Sequence, residues 1–271
     1  MFRLASRLLS QRINVVVVGV GGSGSHLATD LAVLHGVLLD LGHPAGLQVT
    51  LVDADTVSDA NVGRARFYAA DVGLSKAEVL AHRINMCHGS DFEAVHGDIG
   101  ECAQVLEGAD VVFGCVDTRK SRRQINRMLT DADSGRWREA IWVDLGNGAD
   151  DGQVVLGVRG RPSQDVRPPT VVDLYPDMLD ESRDPRGDEP SCSRSESIAR
   201  QGIFVNKTAA LHAVTMLSTL LRHGAIDHTA VFFNVRKGVS GTLKCDPAEW
   251  ARFGYVQPVF VGASSQQHRQ G

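Results

Sequence analysis

The chain has 271 residues, of which 43% are hydrophobic and 22% charged, and its formal net charge is −4. This length permits one large α/β domain with a sizeable core. The 28 basic and 32 acidic residues are mixed along the chain without a basic stripe, which argues against DNA or RNA as a partner. Because the five cysteines are scattered and no long apolar stretch occurs, we expect a cytoplasmic protein without a disulfide framework or membrane span.

The N-terminal part of the chain predicts a nucleotide-binding loop. Residues 1–12 are predicted to form an N-terminal helix, and residues 13–18 form a β-branched run typical of a strand buried in a parallel sheet. The glycines that follow are Gly19, Gly21, Gly22 and Gly24, three of them spaced as G-x-G-x-x-G. Such glycines let the backbone turn tightly and approach a phosphate, and the free N–H groups of the next helix attract anions.

The middle of the chain alternates predicted helices and strands. The predicted elements are a helix over 27–39, a strand over 47–52, a helix over 74–86, a strand over 92–95, a short helix over 102–106 and a strand over 111–115. This alternation predicts an α/β fold with a Rossmann-like, doubly wound, mostly parallel sheet and helices on both faces.

The C-terminal part predicts an antiparallel extension of that sheet. The predicted elements are strands over 141–143 and 153–158, joined by a hairpin turn at 144–148, a long crossover loop over 160–196, a helix over 198–221 and strands over 231–235 and 241–245. A loop of that length in a compact domain is usually functional or disordered. We therefore place one domain over 13–245, followed by a C-terminal tail over 246–271.

Two aspartates follow predicted strands and are candidate ligands. Asp53 follows the strand over 47–52, where doubly wound folds place an acid on a ribose hydroxyl; a cap for the next turn is an equally good interpretation. Asp117 follows the strand over 111–115. Its carboxylate could hold Mg²⁺ against phosphate oxygens, or it could cap the next helix.

Basic residues occur in two further stretches. Arg64 and Arg66 lie in an irregular polar loop. Lys76 lies near the start of the next predicted helix, where a solvated lysine and a phosphate ligand are equally good interpretations. A second basic cluster consists of Arg119, Lys120, Arg122 and Arg123. It is interpreted either as a contact for phosphate or a partner's tail, or as a solvated helix face. His26 is expected to be exposed to solvent.

These segments together resemble the ThiF/MoeB family of ubiquitin-activating-enzyme-like adenylyltransferases over residues 13–245. The motifs that carry the resemblance are Gly19–Gly24, Asp53–Val57, Asn61 with Arg64, Lys76, and Cys115–Asp117. Two further stretches, Leu41–Pro44 and Pro190–Ser193, resemble the branch of this family found in bacterial PRTRC cassettes.

The resemblance implies an enzyme that binds ATP and Mg²⁺ and attaches AMP to the C-terminal carboxylate of a small ubiquitin-like protein. It implies that nucleotide is bound by the glycines, Asp53 and Asp55, with the ribose on Asp53. It places Asn61, Arg64 and Lys76 at the phosphates and Asp117 at the magnesium. A homodimer is expected, since relatives are commonly dimers. Cys192, in the long crossover loop, resembles in position a cysteine that forms a thioester in some members.

Three departures from the family pattern leave other functions open. Ala65 stands where the family usually has glutamine, and the cysteines lack the paired C-x-x-C spacing of a structural zinc site. None of Arg3, Arg7 and Arg12 matches the arginine that relatives donate across the dimer. The alternatives are an NAD-dependent Rossmann oxidoreductase, which shares the glycine motif, and a catalytically inactive binding scaffold.

Overall fold

The computed structural model describes residues 1–130, 139–160, 166–184 and 204–257. The helices and strands of these residues are, in chain order, β1 (Phe2–Arg3), β2 (Ile13–Val18), α1 (Gly22–Asp40), β3 (Leu47–Asp53), α2 (Lys76–His88), β4 (Glu93–His96), β5 (Val111–Gly114), α3 (Arg119–Thr130), β6 (Ala140–Asn147), β7 (Asp151–Arg159), α4 (Val171–Leu174), α5 (Val205–His223), β8 (Ala225–Ile226), β9 (His228–Asn234), β10 (Val239–Lys244) and α6 (Pro247–Trp250). Short 3₁₀ turns join several of them.

The main sheet has the order β10-β9-β7-β6-β5-β2-β3-β4. From β6 to β4 all neighbouring strands are parallel, with Val17 of β2 opposite Leu51 on one side and Phe113 on the other. All three side chains are fully buried, as the β-branched run predicts. β7, β9 and β10 add antiparallel strands at the other end. The predicted Rossmann-like, mostly parallel fold with a C-terminal antiparallel extension is confirmed.

The strand order creates a crevice beside β2. The chain proceeds from β2 through α1 and α2 to β3 and β4 on one side, and then returns to place β5 on the other side. Right-handed crossovers in these two directions put the connecting helices on opposite faces of the sheet. Ligands of open α/β sheets bind at the carboxyl ends of the strands where the order reverses, which here are the ends of β2 and β5.

Local sequence signals account for the helices that flank this crevice. In α1 the residues Leu27, Leu31, Leu34 and Leu38 recur at helical spacing and are buried, and the helix packs against α5 and α2. The N-cap of α2 is Ser75, whose hydroxyl accepts the N–H of Glu78. None of the described helices is long and apolar enough to cross a bilayer.

The structure departs from the sequence-based expectations near the N-terminus and after β6. Residues 1–12 form the short strand β1 and one 3₁₀ turn rather than a helix, because Phe2 pairs with Ile226 across the chain. β6 continues to Asn147, so the hairpin turn lies later than predicted. The segment predicted as a long crossover loop contains α4 and two 3₁₀ turns over Pro176–Leu179 and Glu181–Arg183.

Candidate active site

A cleft of about 530 Å³ opens at the carboxyl ends of β2, β3 and β5. The sequence-predicted residues that line it are Gly19, Gly21, Gly22, Asp53, Asp55, Asn61, Arg64, Lys76 and Asp117. Gly24 lies below the cleft surface, and Cys192 lies outside the described residues. The structure therefore brings candidates from five separate stretches of chain into one crevice.

The glycines of the loop differ in their surroundings: two lie in tight contact with the backbone, and one faces open space. Gly19 has a left-handed φ of 86°, and a Cβ atom there would lie 2.7 Å from the carbonyl oxygen of Cys115. A Cβ atom on Gly24 would overlap the carbonyl oxygen of Gly19, so α1 packs directly against the loop. By contrast, a Cβ atom on Gly21 would meet no described atom within 4 Å. Gly21 therefore faces the cleft at the N-terminus of α1.

Asp53 fastens the glycine loop to the end of β3. Its Oδ2 accepts the backbone N–H of Val20 at 2.5 Å, and its Oδ1 accepts that of Asp55 at 2.8 Å. Burial raises the pKa of the Asp53 carboxyl, while the charge of Lys76 and the two N–H donors oppose that rise. The turn-capping interpretation is thus realised, and the carboxylate still lines the cleft.

Lys76 brings a buried positive charge into the cleft. It is the first residue of α2 and is 7% exposed. Its Nζ donates to Oδ2 of Asp55 at 2.7 Å, while the Asp55 side chain is 70% exposed. Most of the cost of removing this ammonium group from water is therefore incurred by the fold before any ligand arrives.

Asn61 and Arg64 lie on the irregular loop between β3 and α2. The carboxamide oxygen of Asn61 accepts the N–H and the hydroxyl of Ser58 at 2.9 and 3.1 Å. These bonds orient the amide, whose nitrogen donates to no described residue and is left for a ligand. Arg64 lines the same side of the cleft and presents a guanidinium, the side chain best suited to a phosphate fork.

Asp117 is exposed in the loop between β5 and α3. The α3 N-terminus is capped instead by Thr118, whose hydroxyl accepts the N–H of Ser121 at 3.2 Å, so capping by Asp117 is not observed. Its carboxylate makes no hydrogen bond or ion pair with the described residues. Those residues contain no group of three side chains able to hold a metal, so a cation at Asp117 would need oxygens from a ligand.

Arg122, in the predicted basic cluster, is neither a free phosphate contact nor part of a solvated helix face, because it forms a buried ion pair. This side chain is buried and its Nε lies 3.1 Å from both carboxylate oxygens of Asp144 on β6. Burial raises the pKa of Asp144, against the opposing charge of Arg122. Burial, with the charge of Asp144, also raises the pKa of the Cys115 thiol beneath the cleft. This thiol is thereby kept protonated and unreactive.

The rest of the cluster binds the segment after α4 to the first turns of α3. The backbone N–H groups of Arg119 and Lys120, at the start of α3, donate to the Asp184 carboxylate at 2.8 and 2.9 Å. Arg123 donates to Glu181 at 3.1 Å. The N-terminus of α3 is thus already occupied by an anionic side chain, and its basic residues are not simply a solvated face.

A polar network in the cleft beside the glycine loop was not predicted. Ser23 on α1, Asn147 at the end of β6 and Asn206 in the first turn of α5 all line the cleft. The Ser23 hydroxyl and the Asn147 amide donate to the Asn206 carboxamide oxygen at 3.1 and 2.9 Å. Asn206 is 59 residues away from Asn147 in the sequence. No local sequence pattern could therefore have placed it in the cleft.

His26 and Arg66 lie away from the cleft. His26 was expected to be exposed but is partly buried, and its Nδ1 has no hydrogen-bond partner in the described residues. Burial and the nearby charge of Arg66 lower the pKa of His26 to about 4. Ala65 is buried beside them, so the position that usually carries glutamine contributes packing and no polar group.

Comparison with known proteins matches most of the chain to one family. A family model described as the ThiF family matches residues 4–248. The adenylyltransferase and sulfurtransferase UBA4 of Yarrowia lipolytica is 30% identical over 128 residues, covering 46% of this chain and 30% of that protein. Ubiquitin-like modifier-activating enzyme 5 of Dictyostelium discoideum is 30% identical over 146 residues, covering 48% of this chain and 35% of that protein.

Two solved structures share the fold. The crystal structure of PaaA has a TM-score of 0.61 at 14% identity, covering 89% of this chain and 75% of that one. Escherichia coli MccB with ATP has a TM-score of 0.58 at 17% identity, covering 89% and 65%. The chain aligns with only about a third of the two curated relatives' length. The family match spans nearly all of this chain, which therefore belongs to the ThiF family.

Proposed function

We propose that this protein uses ATP and Mg²⁺ to adenylate the C-terminal carboxylate of a small ubiquitin-like protein. The observation that carries the proposal is the convergence of Asp53, Arg64, Lys76 and Asp117 on one cleft beside the glycine loop. The names of the two curated relatives, an adenylyltransferase and a ubiquitin-like modifier-activating enzyme, support the same chemistry.

The cleft offers a separate contact to each part of the nucleotide. Asp53 sits where a ribose hydroxyl can donate to its carboxylate. Gly21 leaves room for phosphate at the N-terminus of α1, whose free N–H groups favour an anion. Arg64, Lys76 and the Asn61 amide nitrogen supply donors and positive charge further along the same wall.

Asp117 fits a magnesium ion that is shared with the phosphates. It is an exposed carboxylate without a described partner, and Mg²⁺ commonly takes one or two carboxylates together with substrate oxygens. When bound, the ion would neutralise charge on the phosphate oxygens.

The reaction is a displacement at the α-phosphorus. An oxygen of the partner's C-terminal carboxylate forms a bond to that phosphorus, and the bond from the α-phosphorus to the oxygen that bridges to the β-phosphorus breaks. Pyrophosphate leaves with the electron pair, and the partner becomes an acyl adenylate. Lys76 and Arg64 stabilise negative charge that builds up on the phosphoryl oxygens, which is the role in which fixed cations contribute most.

The proposal is tested by exchange of labelled pyrophosphate into ATP. The purified protein is assayed with a panel of ubiquitin-like proteins that end in a free carboxylate, and with the same proteins amidated at the C-terminus. Exchange with at least one free form and none with its amide is expected, because an amide offers no carboxylate oxygen to attack phosphorus. Binding of ATP and partner without exchange would instead support the inactive scaffold.

We also propose, from the family resemblance, that the chain acts as a homodimer.

We further propose that the Cys192 thiol forms a thioester with the adenylated partner and releases AMP. Cys192 lies outside the described residues, so the thioester step rests on the resemblance alone. The same reaction mixtures test it by mass spectrometry. A partner adduct that a reducing agent releases and that Cys192→Ala abolishes is expected; an adduct retained by Cys192→Ala, or adenylate without any adduct, contradicts the thioester step.

A further inference from the structure

The geometry points to Asp98 as the residue that selects adenine, by accepting a hydrogen bond from the 6-amino group of the base. This inference rests on the proposed function, since it assigns a base contact to the nucleotide site described above. It adds a residue that lies outside the motifs shared with the family and that the sequence analysis did not single out.

The position of the base follows from the positions assigned to ribose and phosphate. The phosphates lie at the glycine loop after β2 and the ribose at Asp53 after β3, and β4 is the next strand in the same direction. The N–H of Gly97, directly after β4, donates to the backbone carbonyl of Asp53 at 3.1 Å. The loop after β4 is therefore next to the ribose on the side away from the phosphates.

That loop contributes a carboxylate and a largely buried aliphatic side chain to the lining of the cleft. Gly97, Asp98 and Ile99 all line it, and Ile99 is 3% exposed. An aliphatic side chain can pack against the flat face of a base, while a carboxylate can accept from its polar edge. The loop is held in place because the backbone carbonyl of Asp98 accepts the N–H groups of Glu101 and Cys102 at 2.9 and 3.1 Å.

The two carboxylate oxygens of Asp98 have different environments. Oδ1 accepts the backbone N–H of Gly100 at 2.7 Å and the Nε2 of Gln124 at 3.2 Å. These two donors occupy the lone pairs of Oδ1. No described residue donates to Oδ2, so this oxygen remains as one acceptor on a carboxylate that lines the cleft.

A single free acceptor favours adenine over guanine. Guanine presents two adjacent donors, N1–H and the 2-amino group, and pairs best with a carboxylate that uses both oxygens. Here Oδ1 is already engaged by Gly100 and Gln124. The 6-amino group of adenine needs only one acceptor, which Oδ2 provides.

The test compares ATP with purine riboside triphosphate, which has a hydrogen in place of the 6-amino group. Dissociation constants are measured by calorimetry for the wild type, Asp98→Asn and Asp98→Ala. A hydrogen bond to a charged group corresponds to a preference of about 10- to 100-fold for ATP in the wild type. The carboxamide introduced by Asp98→Asn keeps an oxygen for the Gly100 and Gln124 donors and replaces Oδ2 with a donor, so the preference should fall to about onefold.

The ratio separates base recognition from a structural role in the loop, because a distorted loop weakens both nucleotides together. Glu101→Gln, which changes an exposed acid on the same loop, is the control and should keep the wild-type ratio. If the wild type prefers ATP and Asp98→Asn and Asp98→Ala show the same preference, Asp98 does not read the base. If the wild type binds neither triphosphate, the proposed function itself fails.

Discussion

At the scale of single residues, the site contains a polar group that folding has already removed from water. This is the ammonium group of Lys76, which is buried while its partner Asp55 is largely exposed. An exposed carboxylate is solvated and screened, so it holds the lysine weakly. A phosphate that enters the cleft can share or replace this partner without a further large desolvation cost at Lys76.

Replacing Lys76 with alanine should lower turnover in pyrophosphate exchange by about 10²- to 10³-fold, the usual effect of losing one electrostatic donor. The fold should tolerate the change, since the Asp55 carboxylate left behind is exposed. Lys120→Ala is the matched control, because Lys120 is exposed and does not line the cleft. Equal losses of turnover in both variants would show that overall charge, and not this position, determines activity.

His26 should make folding stability depend on pH in the mildly acidic range. Its pKa is about 4 in the folded protein against an ordinary value of 6.5, because burial and Arg66 disfavour the charged ring. As the pH falls from 6.5 towards 4, the unfolded chain takes up this proton before the folded one, so stability decreases across that window. Above that window the ring is neutral in both states and the effect is absent.

The measurement is the free energy of unfolding in urea across this pH range for the wild type and His26→Gln. The variant should lose part of the acid-side slope, while His223→Gln, at the exposed end of α5, keeps it. Identical slopes for the wild type and His26→Gln would contradict the buried, neutral state of His26.

At the scale of elements, different glycines of the glycine loop serve packing and ligand binding: Gly24 allows α1 to pack against the loop, and Gly21 faces open space in the cleft. Gly24→Ala forces α1 away from the loop, because the new Cβ atom overlaps the Gly19 carbonyl oxygen. A loss of stability of about 1–3 kcal/mol is expected, as for other overpacked sites. Gly21→Ala adds a methyl group to open space, so it should leave the unfolding midpoint near that of the wild type and weaken ATP binding.

Thermal unfolding and ATP titration of the two variants measure this difference. A stable Gly24→Ala protein, or a Gly21→Ala protein with normal ATP affinity, would mean that the loop is not organised as described.

The elements also show what local sequence can and cannot predict. The valines of β2, the glycines after it and the leucine spacing of α1 specify structure within a few residues of themselves, and those elements were predicted correctly. The strand β1 could not be predicted, because it exists only through pairing with β8, which lies near the other end of the chain.

Site residues follow the same division. Asp53 and Asp117 were predicted as ligands because they lie at or just beyond the ends of parallel strands, and both line the cleft. Asn206 lines the cleft without a local signal, whereas Asp98 lies just beyond the end of β4 and carries the same signal as those two aspartates, although it was not predicted. Arg122 and Arg123 form ion pairs with Asp144 and Glu181. These acids are distant in sequence, so the basic run alone does not reveal the pairs.

At the scale of the whole molecule, the fold brings these residues together through the reversal of strand order beside β2. The carboxyl ends of β2, β3 and β5 meet at one edge, so short motifs far apart in sequence share one cleft. The antiparallel strands lie at the far end of the sheet, and β6, which joins them to the parallel part, contributes Asn147 to the lining of the cleft. The central claim is that this cleft is built for a nucleoside triphosphate.

The most direct test is to measure the dissociation constants of ATP, AMP and NAD by calorimetry in the presence of magnesium. ATP should bind at least about tenfold more tightly than AMP, because only ATP carries the β- and γ-phosphates that we propose Arg64 and Lys76 contact. NAD should bind more weakly than ATP. Equal affinity for ATP and AMP would contradict the polyphosphate site, and tighter binding of NAD would favour an oxidoreductase instead.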